Sequence, residues 1–221
     1  MNELAGPLIF SLQVALYAVC LVTALAVPVA FAMTRSRSRY RRWLEICLTI
    51  PLVLPPTVIG YFLLVVLGRH GWLGRYLDSW FGYSIMFHWH GAVLAAAVIC
   101  FPLVYLPTRA AFAAVDRELE DIARLQGAGT LSLFWYVSLP MATKGIAAGM
   151  VLAFARALGE FGATMMVMGD TQRYRTLPLL IYSDYSGSGV TATASCAVLV
   201  LTAMSVLTMA FYSRFACTQR R

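Results

Sequence analysis

The stretch FARALGEFGAT, residues 154–164, places Arg156 and Glu160 four positions apart in a run that is otherwise apolar or small. Two ionisable groups in such a run must neutralise each other or face water. On a helix, residues four apart share a face and can pair, although glutamate before arginine is the better order. If a helix spans residues 145–168, Arg156 lies about 16 Å along it at 1.5 Å per residue. That is near the middle of a bilayer, where an isolated charge costs at least about 2.5–3.5 kcal/mol. Ala155, Gly159, Gly162 and Ala163 are small enough to let neighbouring helices approach closely. Other candidates for chemistry are weaker. His88 and His90, in HWH, are alternate residues with no acidic or cysteine ligand adjacent, and Trp89 between them suits a membrane interface. No metal site and no catalytic set is expected, because the histidines lack the carboxylate company an embedded enzyme needs.

The elements that must position the pair follow from composition. Of 221 residues, 60% are hydrophobic and 12% charged, against about a quarter charged in a soluble domain. Mean hydropathy is +0.74. Such a chain cannot cover itself with a polar surface, so lipid is its expected solvent. Charge-free runs mark five expected spans, at about residues 8–33, 46–67, 91–108, 145–168 and 191–212. Each meets the length of about 17–25 residues that a crossing helix needs. The runs are continuous, without the alternation of barrel strands. The expectation is therefore an all-α polytopic bundle forming one transmembrane domain over residues 1–221. The first run lacks a positive leading region and is read as a retained span rather than a signal peptide. Pro51, Pro55 and Pro56 should kink the start of the second span, either as a fixed packing bend or as a bent helix beside a path, with Thr57, Gly60 and Tyr61 near it. Pro102 and Pro107 in the third span raise the same question.

Arginines set the orientation. Arg35, Arg37, Arg39, Arg41 and Arg42 crowd the first connection, Arg109, Arg117, Arg124 and Lys144 the third, and Arg214, Arg220 and Arg221 the tail. The other side holds Arg69, Arg75, Arg173 and Arg175, read as ordinary loop charges that can also attract an anion or an acidic protein surface. Five spans then place the N-terminus outside and the C-terminus in the cytoplasm. The net charge of +7 is mostly topological, and no nucleic-acid partner is expected in the absence of a soluble basic domain. Cys20, Cys47, Cys100, Cys196 and Cys217 form no CxxC and are read as small hydrophobes.

The connection over residues 113–144 is the most patterned. Asp116 can cap a helix whose first turn holds Glu118 and Glu120, and Gly127 can end it in a left-handed conformation. Thr130 can cap a second short helix, Leu131–Val137, that stops before Leu139 and Pro140. Exposed Phe134, Trp135 and Tyr136 would make this a docking knob, or else an amphipathic segment lying on the membrane.

DIARLQGAGTLSLFWYVSLP, residues 121–140, resembles the EAA loop of ABC importer permeases. Asp121, Ala123, Gly127, Phe134, Leu139 and Pro140 fall at the matching places, with Ala128 beside the glycine. Asp121 stands where glutamate is usual, Ile122 where alanine is, and Gln126 where leucine is. Residues 50–74 and 154–170 are similar to the molybdate branch of these permeases; the sulfate and thiosulfate branch is close but usually has tyrosine where Phe161 stands. The resemblance implies a subunit of an ATP-driven importer in the bacterial inner membrane that moves molybdate or tungstate inward by alternating access. It further implies a homodimer, two separate ATP-binding cassette subunits docked on the loop, and a periplasmic oxyanion-binding protein. ATP and magnesium would belong to the ATPase, since this chain has no phosphate-binding loop and its one lysine, Lys144, lacks a glycine-rich lead.

On this reading Arg156 and Glu160 have two roles open. They lock one helix against its neighbours, or they stand by the path and exchange partners as it opens. Direct ligation of the oxyanion fits less well, because a glutamate repels a dianion and a tight midway site slows release. Pro55, Pro56, Thr57, Gly60 and Thr164 are the accompanying candidates for path or gate. A self-contained secondary transporter is the rival class, disfavoured by the docking loop and by the lack of internal symmetry.

Overall fold

The structure is a computed structural model describing residues 2–36, 38–69, 71–81, 86–169 and 175–217. Arg37, Arg173, Arg220 and Arg221, counted above, lie outside the described residues. Among the described residues all regular structure is helical. In chain order the helices are α1 (Asn2–Arg35), α2 (Arg41–Thr49), α3 (Pro56–Leu67), α4 (Gly74–Phe81), α5 (Trp89–Ala113), α6 (Arg117–Leu125), α7 (Thr130–Leu133), α8 (Leu139–Leu158), α9 (Gly162–Met168), α10 (Leu177–Ser188) and α11 (Ala192–Cys217).

α5 is the central rod, with α1 on one side and α8 on another. Its buried residues, Ala92, Ala95, Ala96, Ala97 and Cys100 among them, are mostly small. They meet a stripe on α1 in which Ala15, Ala18, Val22, Ala26 and Ala30 are buried at three- and four-residue spacings. Lipid tails are as apolar as leucine, so helices in a membrane associate by close van der Waals contact, and small side chains permit it. The Cys100 thiol adds a hydrogen bond from α5 to the Ala153 carbonyl of α8, at 3.3 Å. α11 is peripheral: 11% of its most apolar stretch is buried, against 67% for α5.

Among the described residues four helices are long and apolar enough to cross a membrane, and a bent pair brings the number to as many as five. The first, third and fifth expected spans coincide with α1, α5 and α11, and Pro102 and Pro107 lie inside an unbroken α5. The other two are corrected. The second is not one rod: α2 and α3 meet at 111°, joined by a tight turn at Ile50–Leu52. Pro51, Pro55 and Pro56 remove three backbone donors within six residues, and Pro55 takes an extended ψ of 135°. α3 alone, 12 residues or about 18 Å, is shorter than the bilayer core. α2 instead clips to the end of α5, with Glu45 2.9 Å from Arg109 and 3.5 Å from Arg41.

The fourth expected span, 145–168, is displaced at both ends. A continuous helical rod runs from Thr130 to Leu158, so the short helix expected at Leu131–Val137 does not stop before Pro140. Phe134–Ser138 form a π turn, in which the Leu139 N–H donates to the Phe134 carbonyl. This widened turn carries the helix past Pro140, which sits in the first turn of α8 where its missing N–H is tolerated. Thr130 is correspondingly not the cap; Gly129 occupies that position. At the other end the helix stops at Leu158 and restarts as α9.

α10 was not foreseen. It is anchored by Leu177, Leu179 and Leu180 and by a hydrogen bond from the Leu177 N–H to the Ser11 hydroxyl of α1, at 2.8 Å.

Candidate functional site

Two constellations carry the functional candidates. The first is the junction of α3 with α9. The Glu160 carboxylate accepts the Ala163 N–H at 2.9 Å through Oε1, while Oε2 lies 2.6 Å from Arg156 Nη1. The glutamate side chain is 2% exposed and the arginine 34%. Arg156 is in the last turn of α8, two residues from the end of its rod rather than midway along a span. Glu160 lies two residues before α9. The pair therefore bridges the negative end of one helix and the positive end of the next, where each charge is favoured by the backbone dipoles. Arginine before glutamate, a poor order within one helix, is the favourable one across this break.

α9 lies hard against α3. A side chain added at Gly60 would have its Cβ 2.7 Å from Met166 Cβ and 2.9 Å from Ala163 Cα, inside van der Waals contact, so only glycine lets the backbones come this close. Around it Gly162 faces Pro56 and Thr57, and Thr164 is 1% exposed. The structure thus assembles Pro56, Thr57, Gly60, Arg156, Glu160 and Thr164 into one neighbourhood. Pro55 stands at its edge as the residue before α3 and is exposed, as is Thr57. Thr164 is enclosed rather than lining an open passage.

The second constellation is the loop between α5 and α8. The Asp116 side chain accepts the Glu118 N–H at 3.0 Å and caps α6. Gly127, at φ +88°, closes it: the Gly127 N–H donates to Arg124 and the Ala128 N–H to the Ala123 carbonyl, both at 2.9 Å. These two bonds form a Schellman stop, which favours glycine because an L side chain is strained there. The polar residues Arg117, Glu120, Asp121 and Arg124 lie on one face of α6 and Leu119, Ile122 and Leu125 on the other. The apolar face is open, with Ile122 53% and Leu125 89% exposed, and the one residue of α6 that is buried, Glu120, comes from the polar face. Leu131, Trp135 and Tyr136 continue this apolar surface. Exposed apolar patches of this kind mark surfaces that meet a partner.

Phe134 does not belong to that surface. Its ring packs 4.8 Å from Phe31 and 6.2 Å from Phe112, because the π turn directs it into the core. Leu139 also packs on the core, Pro140 is exposed, and Asp121 is an exposed partner of Arg124 at 3.4 Å.

Sequence reasoning treated Glu120 only as a dipole residue. In the structure it is 7% exposed and is the one buried residue of α6. It pairs with Arg35 at the end of α1 and accepts the Ser138 hydroxyl at 3.2 Å. The 117/120/121/124 spacing, placed opposite a chain of leucines and isoleucine, is the signal that could have exposed it.

Comparison with known proteins accords with this geometry. Residues 24–218 match the family model described as binding-protein-dependent transport system inner membrane component. The molybdenum transport system permease protein ModB of Haemophilus influenzae is 40% identical over 92% of this chain and 91% of its own length. That of Escherichia coli K12 is 40% identical over 91% and 88%, and that of Mycobacterium tuberculosis 39% over 90% and 76%. Among solved structures, the inward-facing MetNI methionine ABC transporter matches with a TM-score of 0.71 at 16% identity, covering 97% of this chain and 95% of that one. A bacterial alginate ABC transporter, solved with its alginate-bound periplasmic protein, gives 0.71 at 11% identity over 98% and 79%. At these identities the structural likeness speaks for the fold.

Proposed function

The chain belongs to the family of binding-protein-dependent transport system inner membrane components, and from that membership we propose that it is the membrane-spanning subunit of an ATP-driven importer of molybdate, with tungstate as an alternative cargo. The single observation that carries the reading is the uncovered apolar face of α6, on which Leu119, Ile122 and Leu125 are all exposed. A helix built this way is incomplete by itself and fits a groove on another subunit.

Two copies of the chain form the pathway between them. Two ATP-binding cassette subunits, which hold ATP and magnesium, dock on the loops at Gly127, and a periplasmic binding protein delivers the oxyanion from outside. The arginine-rich ends of α1, α2, α5 and α6 face the cytoplasm and the N-terminus lies outside. ATP binding draws the ATPases together and the loops with them, tilting the helices from inward-open to outward-open, a rigid-body change biased by a ligand on another subunit. The α3–α9 junction with Arg156 and Glu160 moves as a neutralised, packed unit beside the path. Thr57 and the exposed edge of Arg156 are the groups there that meet the passing anion.

Reconstitution in vesicles with the ATPase and the binding protein tests this. ATP-dependent molybdate accumulation is expected, suppressed by tungstate and not by tenfold sulfate. Accumulation that continues without any ATPase would show the chain to be a self-contained carrier instead.

A further inference from the structure

The underside of α6 is unusual for a helix that must bear load. It meets the rest of the protein mainly through α7 and the π turn, and its polar face borders a cleft of about 600 Å³ lined by Arg35, Arg41, Phe112, Arg117 and Arg124 among others. Its one buried residue is a carboxylate. Apolar packing, the usual means of fixing a helix, is therefore not what holds α6.

What holds it is a closed polar triangle. Glu120 of α6 pairs with Arg35 of α1. Arg35 Nη2 donates to Ser138 Oγ at 3.0 Å, and Ser138 Oγ donates to Glu120 Oε1 at 3.2 Å. The guanidinium also sits 3.9 Å over the ring of Phe31, which contacts Phe112 of α5 at 5.5 Å and Phe134 at 4.8 Å. Ser138 is fully buried at the top of the π turn. One ion pair and one hydroxyl thus join three elements: α6, the end of α1 and the rod that becomes α8.

We propose that Glu120 and Ser138 are positioning residues for energy coupling, and that displacement of α6 reaches the membrane helices through the Arg35–Glu120–Ser138 triangle. The inference rests on the importer reading above. The cleft behind α6 leaves few packed side chains, those of α7 and the π turn, to spread a push on its exposed face. The push passes through directional, charge-assisted contacts whose geometry tolerates little slack.

The test is molybdate uptake together with ATP hydrolysis and ATPase capture, measured on the assembled complex. Glu120→Gln keeps the shape and removes the charge. The complex is expected to assemble and hydrolyse ATP, with molybdate moved per ATP falling at least fivefold. The swap Arg35→Glu with Glu120→Arg is expected to regain a third or more of that ratio, which a merely structural glutamate would not produce. Ser138→Ala, which leaves the ion pair in place, is expected to lower the ratio about threefold, and it decides the matter should Glu120→Gln fail to assemble. An unchanged ratio in Glu120→Gln, or a wild-type ratio in Ser138→Ala, overturns the proposal. Failure of the wild-type chain to capture an ATPase would overturn the importer reading instead.

Discussion

At the scale of single residues, the Arg156–Glu160 pair shows how local order depends on where a helix ends. Glu160 does two jobs with two oxygens, accepting a backbone N–H at 2.9 Å and an arginine at 2.6 Å. Glu160→Ala removes a cap worth about 0.5–2 kcal/mol and strands a cation. Breaking a buried pair costs about 3–5 kcal/mol; with Arg156 34% exposed, the lower end of that range applies. Thermal unfolding in detergent should show a clear drop for Glu160→Ala. The double substitution with Arg156→Ala should be less damaging than the sum of the two single ones, because it leaves no orphan charge. Gly60→Leu faces a different obstacle, the Ala163 backbone 2.9 Å from its Cβ. Overpacking of this kind costs about 1–3 kcal/mol, and the same unfolding measurement should register it as a lowered midpoint with α3 and α9 forced apart.

At the scale of elements, α6 depends on how its end is built. Gly127→Ala places an L side chain at φ +88°, a cost of roughly 1–2 kcal/mol, in a helix of nine residues with little margin. Circular dichroism will hardly see so small a change, but capture of the ATPase should weaken severalfold, and Gly127→Asn should retain more than Gly127→Ala because asparagine tolerates the left-handed region. The caps of α6 were legible in the sequence because Asp116 and Gly127 are local signals, each acting within a few residues. The spans α1, α5 and α11 were legible because hydropathy alone sets them. The breaks at Pro51–Pro56 and at Gly159–Phe161 were only half legible. An uncharged run reports that a segment is apolar, and says nothing of whether its backbone ladder is continuous. Phe134 was misplaced for a related reason: one extra residue in the π turn rotates everything before it, and no composition signal marks such an insertion. Glu120 escaped because its partner, Arg35, is 85 positions away in the chain.

At the scale of the molecule, the two constellations occupy opposite ends of one assembly of rods. The loop end gathers Arg35, Arg41, Arg117 and Arg124 around the cleft, while α3 and α9 pack around Gly60. The open apolar face of α6 predicts a separation of stability from assembly. Ile122→Asp and Leu125→Asp alter residues that are 53% and 89% exposed, so unfolding should shift by no more than about 0.5 kcal/mol. Retention of the ATPase on an affinity-tagged chain should nevertheless fall at least tenfold, and equal retention would remove α6 from the interface. The unbroken rod from Thr130 to Leu158 gives these distances a further meaning. It has 29 residues and is about 43 Å long, with its first turns in the loop and Arg156 near its far tip. If it swings as one stiff bar about its loop end, a tilt of about 5° sweeps that tip through about 4 Å. A tetrahedral oxyanion stripped of its water is of that order in width, so a small nudge at one end is geared up into a doorway at the other.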